Sequence, residues 1–249
     1  MIIIPMAGLS SRFREAGFKQ PKYALPLDGG TLFSASVRSF ARYFATEQFV
    51  FVCRAGTEAA SFVDSECRML GIAHFDIITL DCLTRGQAET VLLALDRLGT
   101  RVSDAESLLI FNIDTIRPHY VFPTQADAGD GYLEVFQGKG DGWSFVKPAA
   151  AFSRRVVRTT EKQRISQYCC TGLYHFARAD SFMVACREAL RDIDSYQGQW
   201  GEIYVAPLYN LLIDSGHTVL FHEVAPQDVH LSGTPDQYAA LRQRDGPLF

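Results

Sequence analysis

The chain has 249 residues, 47% apolar and 21% charged, with a formal net charge of −4. That length buries a core without disulfides or metals, as one large α/β domain or two small ones. Both charge signs are interspersed, with no polybasic block or acidic tail, which disfavours a duplex nucleic-acid partner.

Six cysteines (Cys53, Cys67, Cys82, Cys169, Cys170 and Cys186) form no Cys-x-x-Cys pair and no zinc-finger spacing. Most lie in apolar stretches and read as reduced, buried thiols. No apolar run approaches the ~18 residues of a membrane helix. The chain opens on the apolar Ile2, Ile3 and Ile4 without a basic lead, which reads as a first strand and not a leader peptide. The expectation is a cytoplasmic protein that engages no membrane.

In chain order, Ile2–Pro5 reads as a strand, followed by a long polar loop through about Tyr23. A helix is predicted over Thr31–Tyr43, a strand over Phe49–Cys53 and a helix over Thr57–Leu70. A strand at Phe75–Leu80, a helix at Gln87–Leu98 and a strand at Ser107–Phe111 complete the first half. Apolar strands regularly separated by helices imply a parallel sheet covered on both faces. Beyond it, Leu133–Gln137, Ser144–Val146, Val156–Thr160 and Tyr168–Phe176 read as strands without intervening helices, hence an antiparallel extension. Helices at Asp180–Arg191 and Ile203–Asp214, a strand at Val219–His222 and a helix at Pro235–Arg244 close the chain. The predicted arrangement is one domain over residues 1–249, with a carboxy-terminal half acting as lid or acceptor lobe.

The first loop, from Pro5 to Phe13, follows a strand at the edge where ligands bind in open α/β sheets. Small residues at Ala7, Gly8, Ser10 and Ser11 let backbone N–H groups approach a phosphate. Arg12 adds a planar fork of donors, and Lys22 after Pro21 adds a second cation. Two cations and a loop of amides suit a triphosphate that loses pyrophosphate; a small-residue turn with surface Arg and Lys is the plain alternative. Neither a Gly-x-Gly-x-x-Gly fingerprint nor a Walker loop is present, which argues against a dehydrogenase or an ordinary ATPase. Downstream, the strand Leu108–Phe111 leads to Asp114, a carboxylate suited to a Mg²⁺ that takes its other ligands from phosphates and water.

This opening resembles that of the sugar-phosphate nucleotidyltransferases: Ala7-Gly8-x-Ser10-Ser11-Arg12-Phe13, then Pro21-Lys22 and Leu25-Pro26. The resemblance implies that Arg12 and Lys22 hold the triphosphate and stabilise the transferring phosphate, and that Ala7, Gly8, Ser10 and Ser11 contact the nucleotide. It also implies base contacts for Gly86 and Gln87 in Arg85-Gly86-Gln87-Ala88, and strengthens Asp114 as the metal carboxylate. Ile113 stands where the family usually has glycine.

Further along, Thr160-Glu161-Lys162-Gln163 resembles the family's Glu-Lys-Pro, Gln163 replacing the proline. Thr171-Gly172-Leu173-Tyr174 resembles its Gly-hydrophobic-Tyr strand, Gly201-Glu202-Ile203 a helix start, and Gly233-Thr234-Pro235 its closing turn. These motifs imply acceptor contacts for Glu161, Lys162, Thr171, Gly172 and Glu202. Leu231 occupies the position of a second metal-binding Asp, so one metal held mainly by Asp114 is expected. Asp141-Gly142-Trp143 is a candidate stretch of acceptor wall.

The resemblance implies a Rossmann-like three-layer α/β/α nucleotidyltransferase (GT-A-like) fold with a mixed central sheet. Residues 1 to about 130 would bind nucleotide and the remainder the acceptor. The expected partners are an NTP and a phosphorylated small molecule, with Mg²⁺ as cofactor; a homo-oligomer is compatible with the sequence, which sets no particular state. The leading acceptor is a sugar phosphate destined for surface polysaccharide. A non-sugar phosphate or phosphonate taken by a cytidylyltransferase stands close beside it. A nucleotide-sugar-dependent glycosyltransferase is a rival of another class, although Asn112-Ile113-Asp114 offers only half of its usual Asp-x-Asp. A catalytically dead binding module is the remaining alternative.

Overall fold

The computed structural model describes residues 1–194, 201–244 and 246–249. Strand β1 (Ile2–Pro5) runs through the centre of a nine-stranded sheet. A short helix α1 (Ser11–Glu15) follows inside the loop that the sequence pattern leaves polar throughout. A small hairpin, β2 (Pro26–Leu27) and β3 (Gly30–Thr31), leads into α2 (Leu32–Val37), which Thr31 and Ser34 start with a reciprocal capping box.

The predicted helix Thr31–Tyr43 does not continue as one element. It becomes a 3₁₀ segment over Arg38–Tyr43 with Phe40 outside helical geometry, φ −107°. Phe40 is fully buried, its ring edge-on to Phe111 at 4.8 Å and to Tyr120 at 5.2 Å. Packing of this one aromatic side chain overrides the regular helix.

Strand β4 (Phe49–Arg54), helix α3 (Ala59–Leu70), strand β5 (Phe75–Leu80), helix α4 (Gln87–Leu98) and strand β6 (Leu108–Phe111) complete the parallel part, in the order β6-β1-β4-β5. Alternate residues of these strands feed two cores. Ile3, Val50, Val52 and Ile110 pack toward α4, whereas Ile2, Ile4, Phe51 and Phe111 pack toward α2 and α3. Because helices cover both faces, every one of these residues is buried and the strands read as continuous apolar runs.

After β7 (Thr115–Ile116) and the short α5 (Gln125–Ala128) come β8 (Gly131–Gln137), β9 (Ser144–Pro148), β10 (Val156–Glu161) and the nine-residue β11 (Tyr168–Phe176). Strand β11 joins the halves: it is antiparallel to β6 along Leu173–Phe176 and to β8 along both its ends, and it meets β9 at Cys169. These strands continue the same sheet as the first half. Helix α6 (Ala179–Arg191), helix α7 (Tyr209–Asp214), strand β12 (Val219–Glu223), strand β13 (His230–Leu231) and helix α8 (Pro235–Arg242) end the chain. Strand β12 joins β8 in parallel, which makes the sheet mixed beyond the β6–β11 seam as well.

Other helix ends differ from expectation: the helix expected from Thr57 starts at Ala59, and that expected from Asp180 at Ala179. The last helix stops at Arg242 instead of Arg244. The predicted helix Ile203–Asp214 starts only at Ala206, as a 3₁₀ turn ahead of α7. The cause is local: Ile203 N–H donates to Arg85 O (2.8 Å), and Ala88 N–H donates to Ile203 O (3.1 Å). The backbone of Ile203 is therefore committed to the start of α4 and is unavailable for helical pairing.

Candidate active site

The chain leaves β1 toward β4 on one side and returns to β6 on the other. Such a reversal opens a crevice at the carboxyl ends of β1 and β6. A cavity of about 450 Å³ lies there. A second, of about 700 Å³, adjoins it toward β9 and β11. Ser11, Lys22, Gln87, Asn112, Asp114 and Glu202 line both.

The first loop forms one wall. Ala7, Gly8, Leu9 and Ser11 line the first cavity, and Ser10 and Arg12 the second. Ser10 adopts left-handed backbone geometry (φ 50°), which turns the chain from β1 into α1. The first amides of any helix lack intrahelical acceptors, so this turn presents donors to an anion. Phe13 anchors the loop: its ring meets Phe18 at 5.4 Å and Tyr238 of α8 at 6.2 Å, and the Tyr238 hydroxyl donates to Pro26 O (2.8 Å). Arg12 is exposed.

Opposite this wall, Asp114 sits on the turn after β6. Ser232 fixes its backbone by donating to Asp114 O through both N–H (2.8 Å) and Oγ (3.0 Å). Lys22 Nζ donates to Asp114 Oδ2 at 2.5 Å, with both side chains about one-fifth exposed (21% and 23%). The two residues expected to serve phosphate and metal thus meet directly, where the cavities join.

Gly86 caps α4 with φ 139°. A Cβ there would fall 2.5 Å from Ile203 O, so a glycine is required where two backbones cross. The close approach that Gly86 permits within the chain is to Ile203. Gly86 nevertheless lines the first cavity beside Gln87, whose side-chain amide donates to Asn112 Oδ1. Glu89 accepts from Arg85 N–H (2.5 Å) and from its guanidinium. Burial works against the charge of Glu89, but these hydrogen bonds hold its carboxyl below the usual range.

The second cavity opens where the sheet splits. Strand β11 pairs with β9 at Cys169 and with β6 from Leu173 on, and Thr171 and Gly172 lie between. Gly172 has φ +96°, and a Cβ on it would lie 2.6 Å from Asn112 Nδ2. Gly172 O accepts from Asn112 N–H (3.0 Å), so the split strand stays tied to the turn that carries Asp114.

Glu161, at the end of β10, is buried and accepts from Ser144 Oγ. Burial raises its carboxyl above the usual range against that bond and the charge of Lys162, and Glu202 adds to the rise. Lys162 stands in left-handed geometry (φ 52°), with Nζ 2.7 Å from Tyr204 Oη and 4.7 Å from the ring centre. Burial opposes the ammonium, but Tyr204, Glu161 and Glu202 outweigh it and the pKa is raised. Gly142 and Trp143 line this cavity; Asp141 instead pairs with Arg164 at 3.3 Å.

Of the residues predicted for the site, all but Asp141 therefore border one of two adjoining cavities. Asn112, Ser144, Tyr174, Tyr204 and Gln237 border them too, and the sequence reading gave none of them a role in the site. Asn112 carried a signal, since it lies two residues before Asp114 at the end of an apolar strand. For a metal, Asp114 offers one carboxylate, while Leu231 lines the cavity without an oxygen. Among the described residues no group of three or more His, Cys, Asp or Glu could hold an ion. One carboxylate fits a Mg²⁺ that arrives with phosphates and keeps its water.

No protein-family model and no curated protein matches the chain. Among solved structures, the nucleoside-diphosphate-sugar pyrophosphorylase from Vibrio cholerae RC9 is 48% identical, with a TM-score of 0.93 over 98% of this chain and 100% of that one. A putative glucose-1-phosphate thymidylyltransferase from Bacillus anthracis is 16% identical, with a TM-score of 0.75 over 97% and 93% of the two chains. The inositol-1-phosphate CTP transferase from T. maritima is 17% identical, with a TM-score of 0.73 over 97% and 94%. At such identities the last two share the fold alone. The match to the Vibrio protein, together with a cation and a carboxylate meeting between two cavities, places this chain in the nucleotide-sugar pyrophosphorylases, a family of sugar-phosphate nucleotidyltransferases.

Proposed function

We propose that the two cavities are the two substrate sites of a nucleotidyl transfer, with the NTP in the first and a sugar phosphate in the second. The observation that carries this reading is the Lys22–Asp114 pair at the seam, a cation and a carboxylate bordering both cavities. An oxygen of the acceptor phosphate attacks the α-phosphorus of the NTP, the bond to the β-phosphate oxygen breaks, and pyrophosphate leaves with the charge. The attacking oxygen is already ionised, so no general base is required. Catalysis is then orientation and charge neutralisation.

In this reading Arg12 and Lys22 hold the phosphates, with Ala7, Gly8, Ser10 and Ser11 supplying close backbone approach. Gly86 and Gln87 meet the base. Asp114 would hold a Mg²⁺, which when bound neutralises phosphate charge. Glu161, Lys162, Thr171, Gly172 and Glu202 hold the acceptor: carboxylates accept from sugar hydroxyls and Lys162 faces the phosphate. Pyrophosphorylase membership sets aside the glycosyltransferase and the dead binding module.

The test is a split of Michaelis constants. Gln87→Ala is expected to raise KM for the NTP roughly tenfold, the loss of one or two hydrogen bonds, with little change for the acceptor. Lys162→Ala is expected to do the reverse. Equal effects of either variant on both constants would contradict the assignment of two sites.

A further inference from the structure

Strand β11 bulges where it forms the acceptor wall. Its pairing with β8 jumps from Cys170↔Val135 to Tyr174↔Leu133, so that Thr171, Gly172 and Leu173 face the single residue Glu134. Bulges re-aim side chains and recur beside active sites. An unsupported bulge of this size would be free to collapse or shift register, so something must define it.

Glu134 is that support. Its side chain is only 4% exposed, and Oε1 accepts from Thr171 Oγ1 at 3.1 Å and from Arg117 Nε at 2.8 Å. Arg117 is itself 12% exposed and held on two further sides: its N–H donates to Ser39 Oγ (2.9 Å) and its Nη1 to Asp228 O (2.8 Å). From the other direction, Thr115 Oγ1 donates to Thr171 O at 2.6 Å. Thr171 is thus clamped through both its side chain and its carbonyl. A buried ion pair returns little net stability once its desolvation is counted, and removing one partner is costly. Burial indeed pushes the Glu134 carboxyl up, against the charge and hydrogen bond of Arg117. Such a pair contributes a defined geometry more than stability, and the geometry it defines is the acceptor wall.

We infer that Glu134, backed by Arg117, is a positioning residue for the acceptor: it sets Thr171 and the bulge at Gly172 in the orientation that receives the sugar phosphate, without touching substrate. This rests on the second cavity being the acceptor site. The experiment compares wild type with Glu134→Gln, Thr171→Val, the double variant and Lys162→Ala, measuring both KM values, kcat and Tm. Glu134→Gln keeps the shape and weakens the clamp. It is expected to raise KM for the sugar phosphate roughly tenfold, as for one hydrogen bond to a charged group, and to leave KM for the NTP within about twofold. Because Glu134 acts through Thr171, the double variant is expected to match the worse single one instead of multiplying the two effects.

A lowered Tm with both KM values at wild type would overturn the inference and leave Glu134 a structural residue. So would multiplicative effects in the double variant. If Lys162→Ala raises the acceptor KM but Glu134→Gln does not, the positioning role falls while the acceptor site stands. If neither variant moves it, the acceptor-site reading falls, and this inference with it.

Discussion

Asp114 and Lys22 are in direct contact, at 2.5 Å. Each neutralises the other, so neither charge is left unpaired at the seam of the cavities. In the proposed reading, nucleotide phosphates and a divalent ion would offer each of them a new partner, phosphate for the ammonium and the cation for the carboxylate. Lys22→Ala and Asp114→Ala are therefore each expected to lower kcat by about 10² or more while the fold survives. Steady-state rates beside circular dichroism spectra of each variant check this, and wild-type turnover in either would remove that residue from the mechanism. Arg12, Lys22 and Asp114 were legible as residues of the cavity walls, because each stands at a loop or strand end in a stretch that resembles the family's motifs. Arg117 and Glu134 were not. Their meaning arises only when β8 pairs beside β11 and Arg117, just after β7, reaches Glu134, and neither residue carries a local signal in its own stretch.

At the level of elements, periodicity located the strands and long helices well, since apolar runs of four to six residues and 3.6-residue patterns are properties of the local chain. It failed where a distant contact took over. Phe40 broke one helix by packing on Phe111, and Arg85 and Ala88 delayed another by binding Ile203. Edge strand β10 shows a third such contact: the Asn210 side chain of α7 accepts from Thr159 N–H (2.8 Å) and donates to Thr159 O (3.0 Å), occupying the pairing groups of an open edge. Asn210→Ala is expected to destabilise the protein by about 1–3 kcal/mol, because buried backbone groups lose their partner. Urea unfolding measures it, and an unchanged midpoint would contradict the capping role.

Strand β11 carries a pH-sensitive residue at its far end. His175 is buried, stacked on Tyr132 at 4.5 Å, with Nε2 on Ser107 Oγ at 2.8 Å and Nδ1 without a partner. Burial pushes its pKa down from 6.5 to about 4, helped by the amino-terminal ammonium and His222. The unfolded chain binds this proton at higher pH than the folded one does. Stability is therefore complete above about 6.5 and falls as pH drops from there toward 4, by up to about 3 kcal/mol. His175→Phe keeps the stack and removes the titration, so melting curves between pH 7 and pH 5 are expected to shift less than those of wild type. An equal shift would assign the acid sensitivity elsewhere.

At the scale of the molecule, the wound parallel half and its antiparallel continuation form one sheet, and the mixed α/β architecture was legible in the alternation of elements. The split of that sheet between β6 and β9 was not, because it depends on a bulge that no residue pattern announces. In the proposed reading the split makes room for a second substrate beside the first. Pyrophosphate release by the purified protein tests that account most directly, with CTP, UTP, dTTP, ATP and GTP each offered with Mg²⁺ and a panel of sugar phosphates. The account predicts release that needs both an NTP and a sugar phosphate, with a nucleotide sugar as the second product. Sugar-phosphate-independent release, or an absence of NTP binding across the panel, would contradict it.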